Sequence, residues 1–254
     1  MKYIIIIPAR YASTRFPGKP LAMLSGKPII LRVYERVCHL ADLTVVATDD
    51  NRIFDAVESF GGKAVMTRQD HHSGTDRCWE AIEKIGADRF DVVINVQGDE
   101  PFVHPSQIEA LKSCFTDHKT QIATLVKPFA PDAPLSALEN PNSPKVVVGS
   151  EGQALYFSRS VIPYLRGVDK SEWLKRHTYY KHLGLYAYLT PVLHRLTLLP
   201  QGELEKAESL EQLRWLENGY HIKVGVTQHE TVGIDTPDDL RRAEQFLIDN
   251  KDAI

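Results

Sequence analysis

Four consecutive isoleucines, Ile4 to Ile7, followed by Pro8, constrain this chain more than any other feature. So short an unbroken apolar run reads as a strand buried on both faces, which calls for a parallel sheet with helices above and below. Pro8 has no N–H for a sheet ladder, so the strand is expected to end there. The next segment, up to Pro20, carries Arg10, Arg15 and Lys19 among Ser13, Thr14 and Gly18. Ligands of open α/β sheets bind beyond the carboxyl ends of the strands, where this segment must lie. One basic residue there would read as a solvated loop. Three cations interleaved with hydroxyls and a glycine call for an anion, with a nucleoside triphosphate as the candidate. The spacing matches neither G-x-G-x-x-G nor G-x-x-x-x-G-K-[ST], so neither the standard dinucleotide fingerprint nor a P-loop is present.

A chain of 254 residues holds one α/β domain or a domain with an appendage. With 30 Lys and Arg against 33 Asp and Glu, the net charge of -3 gives no reason to expect nucleic acid or a membrane as partner. Pro8 stops the first apolar run too early for a signal peptide or a membrane span. Cys38, Cys78 and Cys114 are odd in number and form no C-x-x-C, which fits reduced thiols on helix faces in a cytoplasmic protein.

Further along, Ile30, Val33, Tyr34, Val37 and Leu40 form a helical stripe opened by Pro28. Leu43 to Thr48 reads as a strand, Ile53 to Phe60 as a helix capped by Asp50 or Asn51, and Lys63 to Met66 as a third strand. This alternation predicts βαβ units and a mostly parallel twisted sheet with helices on both faces. Ser73 and Asp76 have the spacing of a capping box for a helix through Ile82 and Ile85. The same helix start offers free N–H groups to a polar ligand. His71 and His72 lack a third ligand at a recognisable metal spacing.

Asp91 to Val96 reads as the fourth strand and runs into Gln97-Gly98-Asp99-Glu100-Pro101. Asp99 is a turn or cap aspartate, or a Mg²⁺ ligand beside substrate phosphates. Pro105 to Phe115 reads as a helix and Ile122 to Val126 as a strand. Residues 128 to 145 then hold five prolines and no period, a connection out of the first unit. Roughly 130–200 is expected to be an inserted β-rich subregion making acceptor contacts, subunit contacts or both, within a single domain over 1–254. Tyr156, Tyr186 and Tyr188 there could equally be strand packing. Leu204 to Leu216 predicts one glutamate-rich helix whose Glu203, Glu205, Glu208 and Glu217 are mostly solvated. Asp235 or Thr236 caps a last helix opened by Pro237.

Several separated motifs share one resemblance. PARYASTRFPGKPL (8–21), RQDHHSGTDR (68–77), NVQGDEP (95–101), ALYFSR (154–159), HLGLYAY (182–188), LEQLR (210–214) and GIDTPDDL (233–240) closely resemble the 3-deoxy-manno-octulosonate cytidylyltransferase, or CMP-Kdo synthetase, family of Gram-negative lipopolysaccharide assembly. The first and third motifs belong to sugar-acid cytidylyltransferases at large. Phe16 stands where leucine is usual in the family.

The resemblance implies a Rossmann-like, glycosyltransferase-A-like nucleotidyltransferase that makes CMP-Kdo and pyrophosphate from CTP and Kdo. It implies Arg10, Ser13, Thr14, Arg15 and Lys19 on the triphosphate, and Ser73, Gly74, Thr75 and Arg77 around the cytosine or ribose. Asp99 and Asp235 would be the Mg²⁺ carboxylates, with Lys19 and Arg10 also catalytic. Gln97, Asn142, Arg159, Arg166, His182, Tyr186 and Glu211 would hold the acceptor, and the enzyme would be a cytoplasmic homodimer. Other readings are the same transfer to 8-amino-Kdo or a sialic acid, and a catalytically silent nucleotide-binding homologue.

Overall fold

The isoleucine run forms the expected inner strand, although its end lies further on. In the computed structural model of the chain, which describes residues 1–12, 15–230 and 233–249, β1 spans Tyr3–Ala9 and Ile4 to Ile7 are fully buried. Pro8 therefore lies inside the strand. Ile6 accepts from the Val96 N–H at 3.1 Å, so Pro8, two residues on, faces the same side, beyond the last pair, Ile6 with Asn95. Its missing N–H has no ladder partner to lose there. On the other side, pairing continues to Ala9 opposite Thr48.

The chain divides into two compact units, Met1–Ile108 with Thr231–Ile254, and Glu109–Glu230. The expected subregion at 130–200 falls inside the second unit, which is wider. In the first unit, β1 is followed by a hairpin of β2 (Met23–Leu24) and β3 (Lys27–Pro28), then α1 (Ile29–Val37), β4 (Leu43–Thr48), α2 (Asn51–Ser59), β5 (Ala64–Met66), α3 (Gly74–Ile85) and β6 (Val92–Asn95). The strands pair in the order β6-β1-β4-β5, all parallel. The chain moves outward from β1 to β4 to β5, then crosses back over to β6. Right-handed crossovers put α3 on the opposite face from α1 and α2. The apolar stripe of α1, with Ile29, Ile30, Val33 and Val37 fully buried, covers one face, as its spacing predicts. Asp50 caps α2, accepting from the Arg52 N–H at 2.9 Å. The Ser73–Asp76 capping box of α3 forms in both directions.

Helix α4 (Pro105–Cys114) leads into the second unit, which holds β7 (Ile122–Pro128), α5 (Leu135–Glu139), β8 (Lys145–Val148), β9 (Ala154–Ser158), α6 (Trp173–Arg176), β10 (Tyr180–Leu189), α7 (Thr190–Thr197), α8 (Glu203–Glu208), α9 (Gln212–Glu217) and β11 (Ile222–Val226). Here β11 runs parallel to β7, while β7–β10, β10–β8 and β8–β9 are antiparallel. The proline-rich connection contains the short α5, and its Leu138 packs with Trp173, Leu174 and Tyr179.

The expected single helix from Leu204 to Leu216 is two helices, because Ser209 takes a left-handed conformation at φ 50°. Glu205 and Arg214, nine residues apart, would face opposite sides of one straight helix. The break folds them together into a paired contact, Nε–Oε2 at 2.6 Å and Nη2–Oε1 at 2.7 Å. Glu205 is buried rather than solvated, and Glu208 is engaged too, accepting from the Ser158 hydroxyl. The chain returns to the first unit for α10 (Pro237–Asp249). Cys38 is exposed, Cys78 and Cys114 are buried, and all three are free thiols. No helix among the described residues is long and apolar enough to cross a membrane.

Candidate active site

Within the first unit, β1 and β6 are neighbours whose chain connections leave in opposite directions. Their carboxyl ends therefore flank the crevice where an open α/β sheet takes its ligand. A cavity of about 300 Å³ opens there, lined by Arg10, Arg15, Lys19, Ser73, Gly74, Arg77, Gln97, Asp99 and Asp235. Four separated stretches of sequence converge on it as expected. Ser13 and Thr14 lie outside the described residues.

The basic segment is folded back on itself. Gly18 takes a left-handed φ of 71° and donates its N–H to the Tyr11 carbonyl at 3.0 Å. A Cβ there would strike the Tyr11 ring at 3.0 Å, so glycine is required twice over. Lys19 begins the next 3-10 turn and points its ammonium at two carboxylates: Asp99 Oδ2 at 2.5 Å and Asp235 Oδ1 at 3.2 Å. Arg15 also reaches Asp235 Oδ1, at 3.1 Å. Arg10 is exposed at the cavity wall and has no ion-pair partner among the described residues.

The two aspartates are held from behind by backbone. The Ile234 N–H donates to the Asp99 carbonyl at 2.9 Å, tying the segment after β6 to the segment before α10. Thr236, not Asp235, caps α10: its hydroxyl accepts from the Asp239 N–H at 3.2 Å, while Asp239 accepts from the Thr236 N–H at 2.8 Å. The cap leaves the Asp235 carboxylate to Arg15 and Lys19. Asp99 likewise spends its carboxylate on Lys19 and on no backbone cap among the described residues. Both aspartates offer hard oxygens close enough to share one ammonium, which is what a divalent cation needs from protein when phosphates supply the rest. Among the described residues, no cluster of three or more His, Cys, Asp or Glu could hold a metal unaided.

At the α3 wall, Arg77 lines the cavity and also ties that wall to its neighbours. Its buried guanidinium donates to Asp49 Oδ2 at 2.9 Å, the Thr67 hydroxyl at 2.5 Å and the Arg68 carbonyl at 3.3 Å, three of its five N–H groups. Arg77 fixes this wall from within. Thr75 is buried in the first turn of α3. Ser73 spends its hydroxyl on the cap, and a Cβ on Gly74 would stand in ordinary contact with Pro8 at 3.5 Å and with the Asn95 and Gln97 amides at 3.8 Å. His71 pairs with Glu80. Burial opposes ionisation of Glu80, but hydrogen bonds from Lys84, the Arg68 N–H and His71 prevail and hold its pKa at about 2.

Gln97 lines the first unit's cavity; the other predicted acceptor residues belong to the second unit. There, Arg159 donates to the carbonyls of Glu208 (2.6 Å), Pro141 (2.9 Å) and Ser209 (3.2 Å), which sets it beside Asn142's neighbour. Burial holds the His182 imidazole down at about 3, so it is neutral, and it meets the Thr124 hydroxyl at 3.0 Å. Its ring centroid lies 5.4 Å from that of Tyr186. Burial, reinforced by Glu211, pushes the Tyr186 phenol well above its ordinary value, so it stays a donor. Asn142 and Arg166 are exposed. Sequence reasoning missed Glu208 and Lys145, which brace Arg159. Glu208 accepts from the Arg159 N–H at 2.8 Å, and the buried Lys145 donates to the Arg159 carbonyl at 2.6 Å. A lysine opening a valine strand gave the only hint.

A cation-lined cavity with two carboxylates at a strand-order reversal, on a mostly parallel sheet flanked by helices, defines a nucleotidyltransferase. The chain belongs to the cytidylyltransferase family, whose model matches residues 4–224. Within it, the chain stands with the 3-deoxy-manno-octulosonate cytidylyltransferases. It is 67% identical to the protein of that name from Bacteroides thetaiotaomicron over 247 residues, 97% of this chain and 98% of that one. The 8-amino-3,8-dideoxy-manno-octulosonate cytidylyltransferase of Shewanella amazonensis is 47% identical, covering 97% of this chain and 99% of that one. A solved structure of CMP:2-keto-3-deoxy-manno-octonic acid synthetase complexed with CTP matches with a TM-score of 0.88 at 42% identity, over 98% of this chain and 99% of that one.

Proposed function

We propose that this protein transfers the CMP of CTP to the anomeric hydroxyl of 3-deoxy-manno-octulosonate, releasing pyrophosphate, and that it uses Mg²⁺ held by Asp99 and Asp235. The observation that carries the reading is the meeting of Lys19 with both aspartates in a cavity that Arg10 and Arg15 also line.

Phosphoryl transfer of this kind rests on positioning and charge stabilisation. Arg10, Arg15 and Lys19 take up the triphosphate and offset the charge that builds on the departing pyrophosphate. Ser73, Gly74 and Thr75 form the wall for the nucleoside, with Arg77 holding that wall in place. The cation, when bound, neutralises phosphate charge and lowers the pKa of the attacking hydroxyl.

For the acceptor, Arg159 retains two N–H groups of its five for the sugar-acid carboxylate, one on each Nη. A neutral His182 and a protonated Tyr186 suit ring hydroxyls better than a carboxylate. Gln97, Asn142, Arg166 and Glu211 complete the acceptor set by family membership. The same membership supports a cytoplasmic homodimer.

The direct test is pyrophosphate release with CTP, UTP, ATP and GTP crossed with Kdo, 8-amino-Kdo and sialic acid. Turnover is expected with CTP and Kdo. A preference for 8-amino-Kdo would move the protein to the acceptor class of the Shewanella relative, and no release from any pair would leave a silent nucleotide-binding homologue.

A further inference from the structure

In the free protein, two of the three cations assigned to phosphates, Lys19 and Arg15, are already paired with the carboxylates assigned to the metal. Lys19 Nζ lies 2.5 Å from Asp99 and 3.2 Å from Asp235, and Arg15 lies 3.1 Å from Asp235. The Lys19 side chain is only 11% exposed, so water screens its contact with Asp99 less than that of a surface pair. Arg15 is 65% exposed and contributes less. Any divalent ion approaching the aspartates alone must first displace a charge-assisted hydrogen bond from each, and it leaves an ammonium beside a second cation.

We infer that Lys19 is an internal counter-cation that keeps bare divalent metal off Asp99 and Asp235 until a triphosphate draws it away. The inference rests on the assignment of those aspartates as the metal carboxylates. A triphosphate supplies four negative charges and new acceptors for Lys19 and Arg15. When they move to it, the two carboxylates are left facing each other unpaired, which is when a divalent ion binds best. Metal and nucleotide then favour each other by the same factor, because binding coupling is reciprocal. The device keeps both carboxylates paired in the absence of nucleotide, and it makes the metal arrive with or after the nucleotide.

The test measures binding of Mn²⁺ alone, by calorimetry and by loss of the free-ion electron spin resonance signal, in the wild type and in Lys19→Met, Lys19→Gln and Arg10→Met. Arg10 is the control, since it lines the same cavity, carries the same charge and touches neither carboxylate. Both Lys19 variants are expected to bind Mn²⁺ about tenfold or more tightly than the wild type, as one charge-assisted contact no longer has to be displaced. Arg10→Met should shift affinity far less. Equal gains for Arg10→Met and Lys19→Met would reduce the effect to net charge and overturn the inference. So would unchanged affinity in both Lys19 variants. In the second case, Asp99→Asn placed on Lys19→Met separates two failures. If it abolishes the Mn²⁺ signal, the aspartates remain the metal site and only the counter-cation role is lost. If the signal persists, the metal assignment fails with it.

Discussion

A Cβ built on Gly98 would stand 2.9 Å from the Pro8 carbonyl oxygen and 3.3 Å from the Ala9 Cβ. The tips of β1 and β6 therefore meet backbone to backbone, and this contact sets how far Asp99 sits from the basic segment that leaves β1. Gly98→Ala forces the two tips apart, at a cost of about 1–3 kcal/mol of stability by overpacking. Turnover should fall by more than that stability loss explains, because Asp99 moves relative to Lys19. Thermal unfolding and pyrophosphate release on the same sample check both. Full activity with an unchanged Tm would show that the tips have slack.

Arg77→Met tests the finding that this arginine braces the wall. Removing it strands Asp49, whose side chain is 10% exposed, so the cost is about 3–5 kcal/mol. Adding Asp49→Asn should recover part of the loss. Wild-type stability with weakened CTP binding would return Arg77 to direct nucleotide contact.

Acid stability offers an independent check on the neighbouring network. The Glu80 carboxyl is held at about 2 in the folded chain against an ordinary value of 4.5. A depressed folded value gives a stabilisation that is complete above 4.5 and is lost as pH falls from there toward 2. Glu80→Gln should thus lower Tm at pH 6 and converge with the wild type near pH 2. Parallel Tm curves across that range would contradict the assignment.

Glu208 and Lys145 offer a test of positioning. Glu208→Gln weakens the hold on the Arg159 backbone and should raise KM for the sugar acid while leaving CTP affinity within about twofold, since only acceptor binding is disturbed. Equal loss for both substrates would mark a general structural role.

Much of the first unit was legible because its determinants are local. Four isoleucines, the Ser73–Asp76 pair and the α1 stripe each act within a few residues, and each formed as expected. The strand ending at Pro8 was misjudged because the constraint depends on which side the missing N–H faces, and that is decided by where β6 stops. The break at Ser209 was invisible for a similar reason. Each half of the segment has helical pattern, and only the Glu205–Arg214 contact shows why the chain folds back. The meeting of Lys19 with Asp99 could be argued from the ends of two buried strands, whereas the place of Asp235 beside them came only from the family resemblance. The commitment of Arg77 to Asp49 could not be argued from either, because the partners are 28 residues apart on different elements.

The central claim is that Asp99 and Asp235 act together on the phosphates of a bound nucleotide. Pyrophosphate release from CTP and Kdo at saturating Mg²⁺ should fall in Asp99→Asn and in Asp235→Asn by about a thousandfold or more, as expected when metal-assisted charge stabilisation is lost. Both variants should keep the wild-type fold by circular dichroism. Release at the wild-type rate in either one would contradict the account.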